Sequence, residues 1–377
     1  MDVSSRSRVI MVVSHLAPVF GLERVALDVL QLLRKTYDVE IVCVGGSHAD
    51  TAECPDARLL GSSLRGFRRL HSLRRLRGYA RTLESETVIL VGVWVAVPWL
   101  LVARGSGRRT LVWEHSMMKA RLEQSKQLRL LALAARFLYR RASAVVAVSR
   151  PLESDLASIC KGVSIVTIPN PVLIEASGLS AQAPPALMQF PQRKTTRMLT
   201  VGSLTSVKAQ HLVIRALALL DDSYILSIAG SGPEERRLTE LARELGVASR
   251  VTFEGFVAPS DLKGLMSESD LMVHCAVVET FGLVYVEAAN AGLSVIATRN
   301  SLAEEMIPKF VPGRICEPDA PSLAKAIASR KTHVVSPTEL SLAAALRGVE
   351  FDPDRVASRW TSLIDARSDS DCLQKFK

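Results

Sequence analysis

The chain has 377 residues, 48% hydrophobic and 23% charged, an ordinary globular mixture that excludes a disordered, collagen-like or small disulfide-stapled protein. Its six cysteines (Cys43, Cys54, Cys160, Cys275, Cys316, Cys372) are scattered, with no C-x-x-C and no histidine pair at ligand spacing, so they read as reduced thiols of a cytoplasmic chain rather than a zinc site. Residues 1–190 hold 25 basic against 15 acidic side chains (+10) and residues 191–377 hold 22 against 23 (−1), so the net charge of +9 belongs to the first half and points there to an anionic partner or to a solvated basic face.

In chain order, the apolar run Val9-Ile10-Met11-Val12-Val13 after Arg6 and Arg8 is short and is followed by no A-x-A cleavage site, so it reads as a first strand. Short β-branched runs then alternate with helical patterns. Strands are expected over residues 8–14, 39–44, 88–93, 110–113, 144–148 and 164–168, with helices over 21–35, 70–83, 122–141 and 152–160. The uncharged stretch 87–103 touches the lower length limit of a membrane span, but its β-branched start and its Gly92 and Pro98 favour a buried strand followed by a short helix. Residues 170–197 break the rhythm with Pro171, Pro184, Pro185 and Pro191. Strands resume at 197–201, 224–229, 251–253, 271–274 and 294–297. The expectation is an α/β chain of two doubly wound, parallel-sheet, Rossmann-like domains, residues 1–178 and 197–350, joined by a linker at 179–196 and facing a cleft. A terminal helix at 354–365 and a tail expected to be disordered fill residues 351–377.

The densest cluster of chemistry is His274-Cys275-Ala276-Val277-Val278-Glu279-Thr280-Phe281-Gly282-Leu283, with Glu287 four residues further on. A strand ending near His274, a loop carrying Glu279 and a helix beginning near Gly282 would aim the amides of Phe281, Gly282 and Leu283 at a ligand; unsatisfied helix N-terminal amides suit a diphosphate. Gly282 lets the ligand approach the backbone, and Glu287 is placed to accept hydrogen bonds from ribose hydroxyls. The plainer alternative leaves Glu279 and Glu287 as surface residues of an amphipathic helix.

The E-x-F-G segment, with a second glutamate eight residues after the first, resembles the retaining GT-B glycosyltransferases of the family 4 type, which include bacterial mannosyl- and glucosyltransferases. Val201-Gly202-Ser203-Leu204 with Lys208 looks like the family's phosphate loop, Gly230-Ser231-Gly232-Pro233 like its G-x-G-P turn, and Phe253-Glu254-Gly255-Phe256 like the stretch that borders the base. Ile168-Pro169-Asn170-Pro171 resembles the hinge. The resemblance implies that Lys208 neutralises the donor diphosphate, Glu287 binds ribose and Glu279 contacts the transferred sugar. Gly21, in Phe20-Gly21-Leu22-Glu23, looks like the glycine loop beside the diphosphate, and His115, ending Trp113-Glu114-His115, looks like the active-site histidine that touches the sugar. The alternative for His115 is a capped histidine at a strand end. Catalysis is thus expected of His115, Lys208 and Glu279, and donor binding of Gly21, Ser203, Gly230, Phe256, Phe281, Gly282, Leu283 and Glu287.

Ser203 stands where relatives usually carry arginine, Ala209 where glycine follows the phosphate lysine, and Ser301 and Leu302 where paired glycines are usual. No D-x-D lies at a strand end, so neither a metal nor another cofactor is expected. The implied function is retaining transfer from a UDP- or GDP-sugar to a saccharide or lipid-linked acceptor in polysaccharide or glycoconjugate synthesis. The alternatives are a non-catalytic binding or scaffold protein, or a nucleotide-sugar epimerase of the same architecture. Seven arginines (Arg65, Arg68, Arg69, Arg74, Arg75, Arg77, Arg81) flank the apolar stripe Leu70, Leu73, Leu76, Ala80, Leu83, which suits either the inner face of an anionic membrane or packing on the sheet with solvated arginines. Nucleic acid is not an expected partner, because aromatics are only 5% and no recognition motif accompanies the charge.

Overall fold

Runs such as Val9–Val13, Val88–Val91 and Val145–Val148 are apolar at successive positions, which suits strands covered on both faces, and they form the centres of parallel sheets. The computed structural model describes residues 6–16, 21–45, 54–61, 68–84, 86–103, 109–123, 126–172, 194–307, 309–329 and 336–366. The chain divides into two compact units, Met1–Pro171 with Phe351–Lys377, and Val172–Glu350. Most of the expected linker and the tail from residue 367 lie outside the described residues.

The first unit runs β1 (Arg8–Val13), α1 (Gly21–Arg34), β2 (Asp38–Cys43), β3 (Arg58–Leu59), α2 (Arg68–Thr82), β4 (Thr87–Val91), α3 (Val93–Val102), β5 (Thr110–Glu114), α4 (Met118–Glu123), α5 (Lys126–Leu138), β6 (Ala144–Ala147), α6 (Arg150–Ile159) and β7 (Ile165–Thr167). Its sheet order is β3-β2-β1-β4-β5-β6-β7, all parallel, with the order reversing between β1 and β4. Residues 87–103 fold as β4 and α3, and no helix among the described residues is long and apolar enough to cross a membrane. The helix expected over 122–141 is two helices. Asp155, on α6, accepts from the amides of Met118 (2.5 Å) and Lys119 (3.4 Å) and so fixes an earlier start, a long-range cap that local pattern does not reveal.

The second unit runs β8 (Thr196–Val201), α7 (Gln210–Leu217), β9 (Tyr224–Ala229), α8 (Glu235–Glu244), β10 (Val251–Gly255), α9 (Pro259–Glu268), β11 (Leu271–His274), α10 (Leu283–Asn290), β12 (Val295–Thr298), α11 (Ser301–Met306), β13 (Gly313–Cys316), α12 (Ala320–Ala328) and α13 (Pro337–Glu350). The parallel order β10-β9-β8-β11-β12-β13 reverses between β8 and β11. Asn300 and Asp319 cap α11 and α12. Buried Arg347 ties α13 down by donating to the Phe310 carbonyl (2.6 Å) and to Asn290 Oδ1 (3.2 Å).

The last helix, α14 (Pro353–Ile364), belongs to the first unit. It packs on α1; Tyr37 donates to Asp365 at 2.8 Å, and Arg109 donates to the Ala366 carbonyl at 2.5 Å. Trp360 is fully buried, edge-on to Trp113 of β5 with ring centroids 5.1 Å apart.

Candidate active site

In the second unit the loops leaving β8, β9, β10 and β11 are joined backbone to backbone. Leu204 donates to Ser231 (2.9 Å), Glu234 to Leu204 (3.0 Å), Gly230 to Gly255 (2.7 Å) and Val277 to Val207 (2.8 Å). These contacts need glycine: a Cβ on Gly230 would sit 2.0 Å from the Gly202 carbonyl oxygen, and one on Gly232 would sit 2.4 Å from that of Leu204. The result is a fixed loop cluster at the carboxyl ends of β8 and β11, where the strand order reverses and doubly wound sheets bind ligands.

Lys208 and Glu279 meet there. Lys208 ends a 3-10 turn, Ser206–Lys208, and its Nζ lies 2.5 Å from Glu279 Oε2. The same oxygen is 3.2 Å from Nε2 of His274, a buried residue whose ring packs edge-on to Tyr285 at 4.9 Å. Glu279 Oε1 accepts from the Thr280 amide at 3.1 Å. Burial alone would raise the Glu279 pKa, but the Lys208 ammonium and the His274 hydrogen bond outweigh it and hold the carboxyl well below the usual range, so it is ionised. The α10 cap is Gly282, in the left-handed region at φ 66°, ψ 57°, with no side chain to satisfy first-turn amides. A Cβ there would come within 2.4 Å of the Tyr285 ring and 3.0 Å of Leu302. The start of α10 thus carries the partial positive charge of a helix N-terminus beside Lys208 and Glu279 in one loop cluster.

In the first unit, β5 delivers buried Glu114 and half-buried His115 to the carboxyl edge of the sheet. Glu114 accepts from the amides of His115 and Ser116, both at 2.9 Å, and from the Tyr139 hydroxyl at 2.6 Å, which fixes the turn. The His115 ring packs on Trp113 at 4.6 Å, and its Nε2 is sealed from water with no hydrogen-bond partner. Burial pulls its pKa down to about 3, so the ring is neutral and works as a donor or acceptor, not as a cation. After β1, His15 Nε2 lies 3.1 Å from Glu23 Oε1 in the first turn of α1; Glu23 is buried and its Oε2 has no partner.

Residues 19–175 match the family described as Glycosyltransferase Family 4, and residues 189–332 match Glycosyl transferases group 1. The chain belongs to the family 4 type of GT-B glycosyltransferases. It is 37% identical over 118 residues to the uncharacterized glycosyltransferase MJ1607 of Methanocaldococcus jannaschii, covering 31% of this chain and 30% of that protein. It is 27% identical over 198 residues to glycogen synthase of Mycobacterium tuberculosis, covering 51% and 46%. The chain therefore spans less than half the length of these two curated relatives. The fold is that of the Anabaena protein HepE, solved in complex with UDP and glucose, at TM-score 0.74, 19% identity and coverage of 94% of this chain and 98% of that one.

Of the residues that the family pattern singles out, Ser203, Lys208, Gly230, Phe256, Glu279, Phe281, Gly282, Leu283 and Glu287 all belong to the carboxyl-end loops of the second sheet or the start of α10. Phe256 is 54% exposed, whereas the Phe281 side chain is buried. Ser203 is exposed and Glu287 is half-buried. Ala209 keeps the left-handed conformation of the glycine it replaces, at φ 49°, a strain of about 1 kcal/mol. Gly21 opens α1 and His115 directly follows β5, both in the first unit. Among the described residues, no three His, Cys, Asp or Glu side chains are grouped as a metal site would need.

Two members of the cluster carry no signal of their role in the sequence. His274 reads there only as a strand end, and its bond to Glu279 depends on a loop that folds back over five residues. Buried Gln210 donates to the Ser203 carbonyl at 3.1 Å, holding the loop after β8 from within; no sequence pattern marks it. The His15–Glu23 pair was equally silent, being eight residues apart across a strand-to-helix turn.

Proposed function

We propose that the chain transfers a sugar from a nucleotide-diphosphate donor, a UDP- or GDP-sugar, to a saccharide or lipid-linked acceptor with retention of configuration, in polysaccharide or glycoconjugate synthesis. The observation that carries this reading is Lys208, held by half-buried Glu279 beside the glycine-capped start of α10. Breaking the bond between the anomeric carbon and the diphosphate leaves a dianionic group, and a flexible ammonium together with first-turn amides supplies charge where it develops. In this reading Glu287 accepts from the ribose hydroxyls, Phe256 borders the base, and Glu279 orients both Lys208 and the transferred sugar. As the acceptor hydroxyl attacks on the face that the diphosphate leaves, a phosphate oxygen takes its proton. His115, neutral, and the Glu23 carboxyl, with Oε2 unpartnered, offer hydrogen-bonding partners to sugar hydroxyls in the first unit. The UDP and glucose bound by HepE, which shares the fold, support the donor class.

The test is thermal stabilisation and nucleoside diphosphate release with a panel of UDP- and GDP-sugars, with Glu287→Ala as control. Donor-dependent stabilisation and turnover, both lost in the variant, are expected. NMR of the first-formed product reads the anomer, and inversion would refute retention. Ser203 favours a second reading, a binding protein of the same fold, because one hydroxyl stands where a guanidinium would grip the diphosphate in two places. Stabilisation by donors without release of nucleoside diphosphate under any acceptor would decide for it.

A further inference from the structure

Three large apolar side chains that face water lie on one helix: Leu130 (67% exposed), Leu133 (39%) and Phe137 (62%) of α5. Their spacings of three and four put them on a single face, while Leu131, Ala132, Ala135 and Leu138 are buried on the other. Lys126, Arg129, Arg136 and, in the turn that follows, Arg140 are exposed as well. At 3.6 residues per turn all seven fall within an arc of about 120°. No acidic residue occurs from Lys126 to Arg141. Scattered exposed apolar residues need no explanation, but a contiguous set rimmed by like charge marks an interaction surface. Leu101, at the end of α3, is 49% exposed, and Arg141 donates to the neighbouring Leu100 carbonyl at 3.0 Å, so α3 adds apolar surface beside the end of α5.

The arginine-rich helix, for which a membrane face and packing on the sheet were the two alternatives, is built differently. In α2 the apolar residues Leu76, Tyr79 and Ala80 are buried, as is Leu83 just beyond it, Leu73 is half-buried, and Arg74, Arg75, Arg77 and Arg81 are exposed, so among its described side chains the helix exposes charge and no large apolar side chain. We infer that α5, not α2, docks the first unit on an anionic lipid bilayer. Leu130, Leu133 and Phe137 enter the boundary between headgroups and acyl chains, and Lys126, Arg129, Arg136 and Arg140 meet lipid phosphates. Charge complementarity selects this occupant. A second copy across a twofold axis would set these cations against their own images. A nucleic acid would leave the apolar stripe unused, since α5 offers a single aromatic for stacking.

The experiment is sedimentation of the purified 377-residue chain with sucrose-loaded vesicles of phosphatidylcholine, alone or mixed with phosphatidylglycerol, and it reads binding without reference to turnover. Binding to the anionic vesicles only, weakening as salt is raised, is expected. Leu130→Ser with Phe137→Ser should lower partition about tenfold or more. Arg129→Glu with Arg136→Glu should do the same, at about fivefold for each cation lost. Both doubles exchange exposed side chains, so their thermal melts should match the parent. Arg74→Glu with Arg77→Glu on α2 should cost less than either. Absence of binding to anionic vesicles overturns the inference, as does parent-like binding by the α5 variants. A dimer that dissolves on Phe137→Ser would reassign the face to a second copy.

Discussion

Replacing Glu279 by glutamine keeps the shape of the loop and removes one charge. Two unit charges 2.5 Å apart attract by about 7 kcal/mol at an effective dielectric constant of 20. Withdrawing the carboxylate from water offsets several kcal/mol of that. Lys208 is 23% exposed and turns to solvent once unpaired, so we expect Glu279→Gln to cost about 2 to 3 kcal/mol at pH 7. The assay is urea unfolding followed by far-UV circular dichroism. All four tryptophans, Trp94, Trp99, Trp113 and Trp360, lie in the first unit, so their fluorescence is an internal control and a change confined to the dichroism locates the loss in the second. With a slope of about 3 kcal/mol per molar urea, the midpoint falls by nearly 1 M. The sign with pH follows from the depressed pKa. Above the ordinary value of 4.5 the stabilisation is complete; below it the unfolded chain takes up a proton that the folded chain refuses, and the stabilisation fades as pH falls toward the folded value. The gap between parent and variant should therefore narrow by about 1.4 kcal/mol for each pH unit below 4.5. An equal gap at pH 7 and pH 3.5, or an unchanged midpoint, would refute the assignment of this ion pair.

Gly282→Ala adds a Cβ within 2.4 Å of the Tyr285 ring and forces alanine to φ 66°, so a loss of about 2 to 4 kcal/mol is expected, read by the same urea titration. Trp360→Ala empties a fully buried site against Trp113, and calorimetry should show a loss of about 3 to 5 kcal/mol. His115 resists protonation when folded, so between its ordinary 6.5 and about 3 the unfolded chain binds the extra proton and stability falls with falling pH, by at most about 1.4 kcal/mol per unit; His115→Asn should flatten that slope in melts taken from pH 7 to 4.

The fold was legible because parallel strands buried on both faces leave nearly unbroken apolar runs, as in Val9–Val13 and Leu271–His274. What escaped was what carries no such run: the two residues of β3, and β13, where Gly313-Arg314-Ile315-Cys316 pairs with β12 because a Cβ at Gly313 would lie 2.1 Å from the Val295 carbonyl oxygen. The return of α14 to the first unit was invisible for a related reason. Trp360, Asp365 and Ala366 find Trp113, Tyr37 and Arg109 across more than 240 residues, and no local pattern encodes those partners. At the site, the glycines and Glu279 could be read because close backbone approach and a helix start leave fixed residue types. His274, Gln210 and the His15–Glu23 pair could not, since each acts through a neighbour brought in by the turn of a loop.

Ser203 turns the Lys208–Glu279 pair into a prediction about binding. A diphosphate arriving in the loop cluster has to draw the ammonium from a carboxylate 2.5 Å away, while His274, on the same carboxylate oxygen at 3.2 Å, remains to hold Glu279 in place. In the proposed reading that competition lowers ground-state affinity, whereas the charge that would build on the leaving phosphate draws Lys208 more strongly as the bond breaks, so the pair would favour the transition state over the bound donor. An arginine at position 203 would grip the diphosphate equally in both states, because a guanidinium does not depend on Lys208 being released. Ser203 is exposed, so Ser203→Arg fits without disturbing the core. The expected result is a donor KM lowered about tenfold with kcat unchanged, the signature of uniform binding. A kcat that rises with the substitution would show that Lys208 alone does not stabilise the leaving group, and an unchanged KM would place the diphosphate away from the loop that follows β8.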